Sequence, residues 1–139
     1  MVGIDYAVPL LQEARRHCVA PFVAGDLRAL PFAAALFEGA WAMASLHHLR
    51  PTDILKALVE VRRVLKVGGR FLATVKAGVG QETDREGRFF SYYGEDQWRG
   101  LVERAGLRIK SLSVDREERA GPEQTIVKVK WLYSLCEAH

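Results

Sequence analysis

The sequence has little that could staple or anchor it. Two cysteines, Cys18 and Cys136, sit near opposite ends with no CxxC spacing. They cannot supply a four-ligand zinc site of the usual kind, and in a reducing cytosol they read as a buried pair of free thiols. No apolar run approaches the roughly 18 residues that a helical membrane span requires. The opening Met1-Val2-Gly3-Ile4-Asp5 carries no basic region followed by a long apolar stretch, so no signal peptide is visible and a cytoplasmic protein is expected. Neither sign of charge dominates, since 20 Lys and Arg stand against 17 Asp and Glu for a net +3. No block of about five like charges marks a nucleic-acid tail, although so mild a charge leaves nucleic acid open as a substrate. Internal repeats and low-complexity tracts are absent.

What remains is a chain of 139 residues, 49% hydrophobic, which suits one globular domain with a core. Val2-Gly3-Ile4 reads as a buried strand stopped by Asp5. A helix follows, with Pro9 in its first turn, Leu10, Leu11, Ala14 and Cys18 on one face, and Pro21 at its close. Phe22-Val23-Ala24 is a short strand ending at Gly25-Asp26, and Leu30-Pro31-Phe32 is a turn. Residues 37–44 lack clean alternation and read as a central strand covered on both faces. Residues 45–50 form the loop at its end.

The clearest helix is capped by Thr52 or Asp53. Its stripe is Ile54, Leu55, Leu58, Val61 and Leu65, and Gly68-Gly69 ends it. Residues 70–75 are a strand and 78–87 a polar, glycine-rich surface loop. A third helix spans 95–105 with Trp98, Leu101, Val102 and Ala105 inward and Gly106 as its stop. Residues 107–114 and 125–133 then make an antiparallel pair.

Strands alternating with helices imply right-handed crossovers and a mostly parallel sheet. Ligands of such sheets bind beyond the carboxyl ends of the strands. Asp5, Asp26 and residues 45–48 all fall there. A carboxylate at Asp5 could grip a ribose diol, or simply cap the helix that follows. Asp26 could accept from an exocyclic amine while the Leu27 N–H donates to a ring nitrogen, or it could bond its own turn. His47 and His48, on an extended backbone, would point opposite ways, leaving one to face the crevice. No third ligand accompanies them, so no metal is expected. Phe90, Tyr92 and Tyr93 could wall a substrate or pack the start of the third helix.

The order of four motifs resembles one family. Val2-Gly3-Ile4-Asp5, Gly25-Asp26-Leu27 with Leu30-Pro31-Phe32, Ser45-Leu46-His47-His48-Leu49, and the run from Glu60-Val61-Arg62-Arg63-Val64-Leu65 to Gly68-Gly69-Arg70 look like the class I S-adenosylmethionine-dependent methyltransferases of the methyltransferase-11 type. Phe89-Phe90-Ser91-Tyr92-Tyr93 resembles the stretch before the family's last helix. The resemblance spans nearly the whole chain, as a single domain of residues 1–139. It implies an α/β, Rossmann-like sheet, mostly parallel, with a C-terminal antiparallel hairpin. It also implies S-adenosylmethionine as cofactor. Asp5 matches the residue that holds the cofactor ribose, and Tyr6 the one flanking adenine. Asp26 matches the acid at the adenine amine, Leu27 the backbone donor beside it, and Ser45 the approach to the methionine moiety. His48 falls on the substrate side, as the first candidate base, with Tyr93 second.

The departure from the family lies at the start. Its first strand and Gly-x-Gly loop precede the ribose acid, and here Met1 stands close before Asp5. Gly78-Val79-Gly80 follows the wrong strand to replace them. The resemblance therefore implies an N-terminally truncated domain in which two central strands lose a neighbour, or pair directly, or dimerise. Methyl transfer would be impaired in such a chain. The other readings are a non-catalytic remnant acting as an interaction module and a nicotinamide oxidoreductase, the latter weakened by the absence of a Tyr-x-x-x-Lys pair. The acceptor is left open among a small metabolite, a quinone-like ring and a tRNA base.

Overall fold

Short parallel strands and long antiparallel ones divide the molecule, a computed structural model describing all 139 residues. Strand β1 (Gly3–Asp5) leads into helix α1 (Val8–His17), which returns to β2 (Phe22–Ala24). β1 and β2 pair in parallel, with Asp5 opposite Ala24, and form a sheet of their own. β3 (Phe37–Met43), a 3-10 turn at Leu46–His48 and helix α2 (Pro51–Val64) follow, then β4 (Leu65–Lys76) beside β3. β5 (Gln81–Thr83) and β6 (Phe89–Ser91) form a small antiparallel ribbon. Helix α3 (Glu95–Arg104) precedes the long hairpin of β7 (Leu107–Ala120) and β8 (Ile126–Ala138). The main sheet runs β3-β4-β8-β7, parallel between β3 and β4 and antiparallel beyond. The α/β, Rossmann-like architecture with its antiparallel C-terminal hairpin thus stands.

The core lies where α2 and α3 cover one face of β4 and β8. Ile54, Leu58, Phe71, Val75, Trp98 and Leu132 are all within it and essentially without solvent contact. Each such side chain contributes about 1.5–3 kcal/mol by leaving water. Trp98 anchors α3, and its indole Nε1 donates to Ser134 Oγ at 3.0 Å, so the buried polar group is satisfied. α3 ends as its sequence requires, with Gly106 at φ +85° in the left-handed region.

Several expectations need correction. α2 begins with Pro51 at its first turn and stops at Val64, before Gly68-Gly69, because Leu65 already enters the ladder opposite Phe37. Ala57 and Val64 join its buried stripe. The segment 78–87 is not wholly loop, since β5 lies within it. The thiols are not a buried pair: Cys18 is exposed and Cys136 is buried. Burial pushes the Cys136 thiol up to about 11.

β3 corrects one expectation and meets another, that of two central strands losing a neighbour. It is the edge of the main sheet rather than a strand covered on both faces, and Trp41 is 67% exposed. β1 and β3 do not pair. Each has a partner on one side only, β2 and β4 respectively. Between their free edges opens a groove of about 820 Å³, apolar in 20 of its 24 lining residues. Ala14 and Cys18 of the expected α1 stripe line this groove, Leu11 is buried and Leu10 is 60% exposed.

A clamp on α2 holds the two halves in register. Glu60 Oε2 accepts from the Leu30 N–H at 2.7 Å. Arg63 donates to the carbonyls of Phe32 at 2.8 Å and Leu30 at 3.0 Å. Glu60 and Arg63 also pair with each other at 2.7 Å. This network fixes the 30–32 turn and with it the end of β2.

Candidate functional site

The parallel register brings two acids to one edge. Gly25 donates to the Asp5 carbonyl at 3.0 Å, which extends the β1–β2 ladder so that Asp26 follows directly beside the end of β1. Asp5 Oδ1 accepts from the Ala7 N–H at 2.8 Å and so fastens the entry of α1. Its other oxygen has no partner within the protein. Tyr6 beside it is 81% exposed.

Asp26 is more heavily engaged. Its Oδ1 accepts from the Arg28 N–H at 2.8 Å, and both oxygens accept from the Arg28 guanidinium at 2.7–3.1 Å. The guanidinium side-chain bond holds the Asp26 carboxyl below the usual carboxylate range. Arg28 also reaches Asp53 on α2 at 3.2 Å. Leu27, between them, is half-buried, and its N–H donates to no protein group. An unmet donor beside two acids is suited to a ring nitrogen with an amine next to it.

The third strand end carries strain. Ala44 has φ +52°, a left-handed conformation that costs a residue with a Cβ of order 1 kcal/mol or more. Two bonds hold it there: its N–H donates to the Thr74 carbonyl at 3.2 Å and to Thr74 Oγ1 at 2.9 Å. Ser45 follows, half-buried, its carbonyl accepting from the His48 N–H at 3.1 Å and its hydroxyl without a partner.

The two histidines do not diverge as extended backbone would require. They lie on the 3-10 turn, and their ring centroids are 4.5 Å apart. His47 is buried, its Nδ1 unpartnered, and desolvation pushes its pKa down to about 3, with help from His48 and Lys76. It is neutral at neutral pH. His48 is exposed, and its Nδ1 lies 2.8 Å from the Phe89 carbonyl. A carbonyl only accepts, so Nδ1 carries the proton and Nε2 offers a free lone pair in the neutral ring.

Tyr93, the second candidate base, lies in the core, as its packing alternative has it. It is 1% exposed, packs 5.3 Å from Trp98, and its hydroxyl has no partner. Burial raises its pKa further. Sequence reasoning missed Lys76, the last residue of β4. Its ammonium sits 3.8 Å over the Phe90 ring, and His48 packs on that same ring at 4.7 Å. Burial holds Lys76 below its ordinary value. Its place at a strand end was the available signal.

The candidate groups gather at the carboxyl ends of parallel strands, the place where α/β sheets take their ligands. A Methanosarcina mazei structure described as a SAM-dependent methyltransferase superposes on 99% of this chain and 81% of its own, with TM-score 0.78 and 18% identity. The Burkholderia thailandensis 1,6-didemethyltoxoflavin-N1-methyltransferase, solved with 1,6-didemethyltoxoflavin and S-adenosylhomocysteine, superposes on 99% of this chain and 60% of its own, with TM-score 0.72 and 20% identity. A protein of Encephalitozoon cuniculi, named as a candidate methyltransferase, is 41% identical over 76 residues, which are 54% of this chain and 36% of that protein. This chain therefore matches little more than a third of that relative's length. Residues 1–73 match the family described as the methyltransferase domain, and the chain belongs to it. In family and fold it resembles the S-adenosylmethionine-dependent methyltransferases. No helix is long and apolar enough to cross a membrane.

Proposed function

We propose that this protein binds S-adenosylmethionine at the ends of β1 and β2 and directs its methyl group to an acceptor beside His48. The observation that carries the donor reading is the unpartnered, half-buried Leu27 N–H next to Asp26, on the edge shared with Asp5. The nucleoside end fits these residues. The free Asp5 oxygen accepts from the ribose, Leu27 donates to the adenine ring, and Tyr6 covers it. Asp26 already accepts four contacts from Arg28, about as many as a carboxylate takes, so it meets the adenine amine by releasing part of that pairing. Ser45 stands on the methionine side.

When bound, the donor would supply a methyl carbon made electrophilic by the sulfonium and a neutral thioether as leaving group. His48 Nε2 takes the proton that the acceptor loses, while the Phe89 carbonyl holds the ring in the required tautomer. Strain at Ala44 and its bonds to Thr74 fix the loop that carries both Ser45 and His48. Alignment of acceptor and methyl carbon provides the rest of the rate.

The apolar groove supports a second reading, a non-catalytic module of the same family. It offers few polar groups to the methionine end, so donor affinity of this 139-residue chain is reduced. Calorimetric titration with S-adenosylhomocysteine separates the two. Binding tighter than about 1 mM supports methyl transfer, and weaker binding supports the module.

A further inference from the structure

Four cations lie over aromatic rings around the His48 turn. Arg50 is 5.3 Å from the Phe89 centroid, Lys76 3.8 Å and Arg88 5.7 Å from that of Phe90, and Arg119 5.5 Å from that of Trp131. Trp131 pairs with Lys76 across the β4–β8 ladder. The carboxylates nearby are already engaged. Asp84 accepts from Arg88 at 2.7 Å, Glu117 from Arg119 at 2.9 Å and from Trp131 Nε1 at 2.8 Å, and Glu82 from the Tyr92 hydroxyl. Lys76 forms no ion pair within 4.0 Å, although it is half-buried. Lys76 feels both signs of charge, from Glu82 and Asp84 as well as Arg88 and Arg119, yet none of them is in contact with it, and a partly desolvated ammonium with only ring faces against it favours an incoming anion.

We propose that Lys76 is a specificity residue of the acceptor site and that the acceptor is a small molecule bearing a carboxylate. Lys76 and His48 both pack on one ring, Phe90, at 3.8 and 4.7 Å from its centroid, so an acceptor beside His48 also lies near the ammonium. The proposal rests on the methyl-transfer reading for its word "acceptor", but the anion site is tested without turnover.

The probes are 4-hydroxybenzoate and its neutral counterpart 4-hydroxybenzamide, titrated into the 139-residue chain while side-chain resonances of His48 and Trp131 are followed by NMR. The expected result is about tenfold tighter binding of the carboxylate, with both resonances moving. In Lys76→Met the preference disappears, in Lys76→Arg it persists, and in Arg85→Gln, an exposed cation of the 84–88 turn, it is unchanged. Equal binding of the two probes, or a preference that survives Lys76→Met with the fold intact, overturns the proposal. Titration of the same samples with S-adenosylhomocysteine keeps the two readings apart. Donor binding without the anion preference overturns the Lys76 site alone. An anion preference without donor binding supports the site and removes methyl transfer.

Discussion

Arg28 holds both carboxylate oxygens of Asp26, at 2.7 to 3.1 Å, and ties them to Asp53 of α2. The acid proposed to meet the adenine amine is therefore held in an ion pair before any ligand arrives. Removing the guanidinium with Arg28→Met leaves the carboxylate free for the ligand. Affinity for S-adenosylhomocysteine is expected to hold or rise in that variant. Asp26→Ala is expected to weaken it by about 1–3 kcal/mol, the range for a hydrogen bond to a charged group. Calorimetry on the two variants checks the pair, and a loss of affinity in Arg28→Met would make the arginine itself the ligand contact.

The Glu60–Arg63 clamp predicts a pH-dependent stability. The Arg63 side-chain bond holds the Glu60 carboxyl below its ordinary value, assisted by the Leu30 N–H. A carboxyl whose folded value is depressed stabilises the fold above its unfolded value. That contribution disappears as pH falls through the folded value. Glu60→Gln should therefore cost roughly 1–3 kcal/mol at pH 7, where the charged, part-buried bond is intact. The two proteins should converge in urea denaturation as the solution is made strongly acidic. A constant difference at all pH values would assign the cost to packing.

His48→Gln should slow methyl transfer by about 10²–10⁴-fold with acceptors that must lose a proton, the usual contribution of a positioned base. Binding of S-adenosylhomocysteine should not change, because His48 lies on the acceptor side. Single-turnover rates and calorimetry on the same preparation test both halves of that statement.

Two tryptophans separate the packed sheet from its open edge. Trp98 is fully buried and hydrogen-bonded, so Trp98→Ala should cost about 3–5 kcal/mol. Trp41 is 67% exposed on the free edge, and Trp41→Ala should stay within about 0.5 kcal/mol. Thermal denaturation of both variants checks this. A large loss at Trp41 would show that the groove is closed in solution.

Local patterns were the legible part of the sequence. The stripe of α3, its Gly106 stop and the final hairpin follow from helical and alternating periodicities that neighbours along the chain determine. The strand ends were legible too, and Asp5 and Asp26 do fall at adjoining ends. The free edges of β1 and β3 agree with the expectation that two central strands lose a neighbour, but how exposed the faces of β3 are was not legible, because burial of a strand depends on partners distant in sequence. The same holds for Ala14 and Cys18, which line the groove. Tyr93 follows the packing alternative that its place before the third helix offered, since its backbone pairs with Ala77 and carries the side chain into the core. The histidines were misread because a 3-10 turn, not an extended strand, follows the strained Ala44. Lys76 escaped notice because its meaning depends on Phe90, far away in sequence.

Where the nucleoside sits decides the donor reading, and NMR titration of the labelled chain with S-adenosylhomocysteine, following the Leu27 amide, addresses that directly. A saturable shift of Leu27 together with Tyr6, weakened by about 1–3 kcal/mol in Asp5→Ala, is the expected result. A Leu27 amide that stays still while residues elsewhere respond would contradict it.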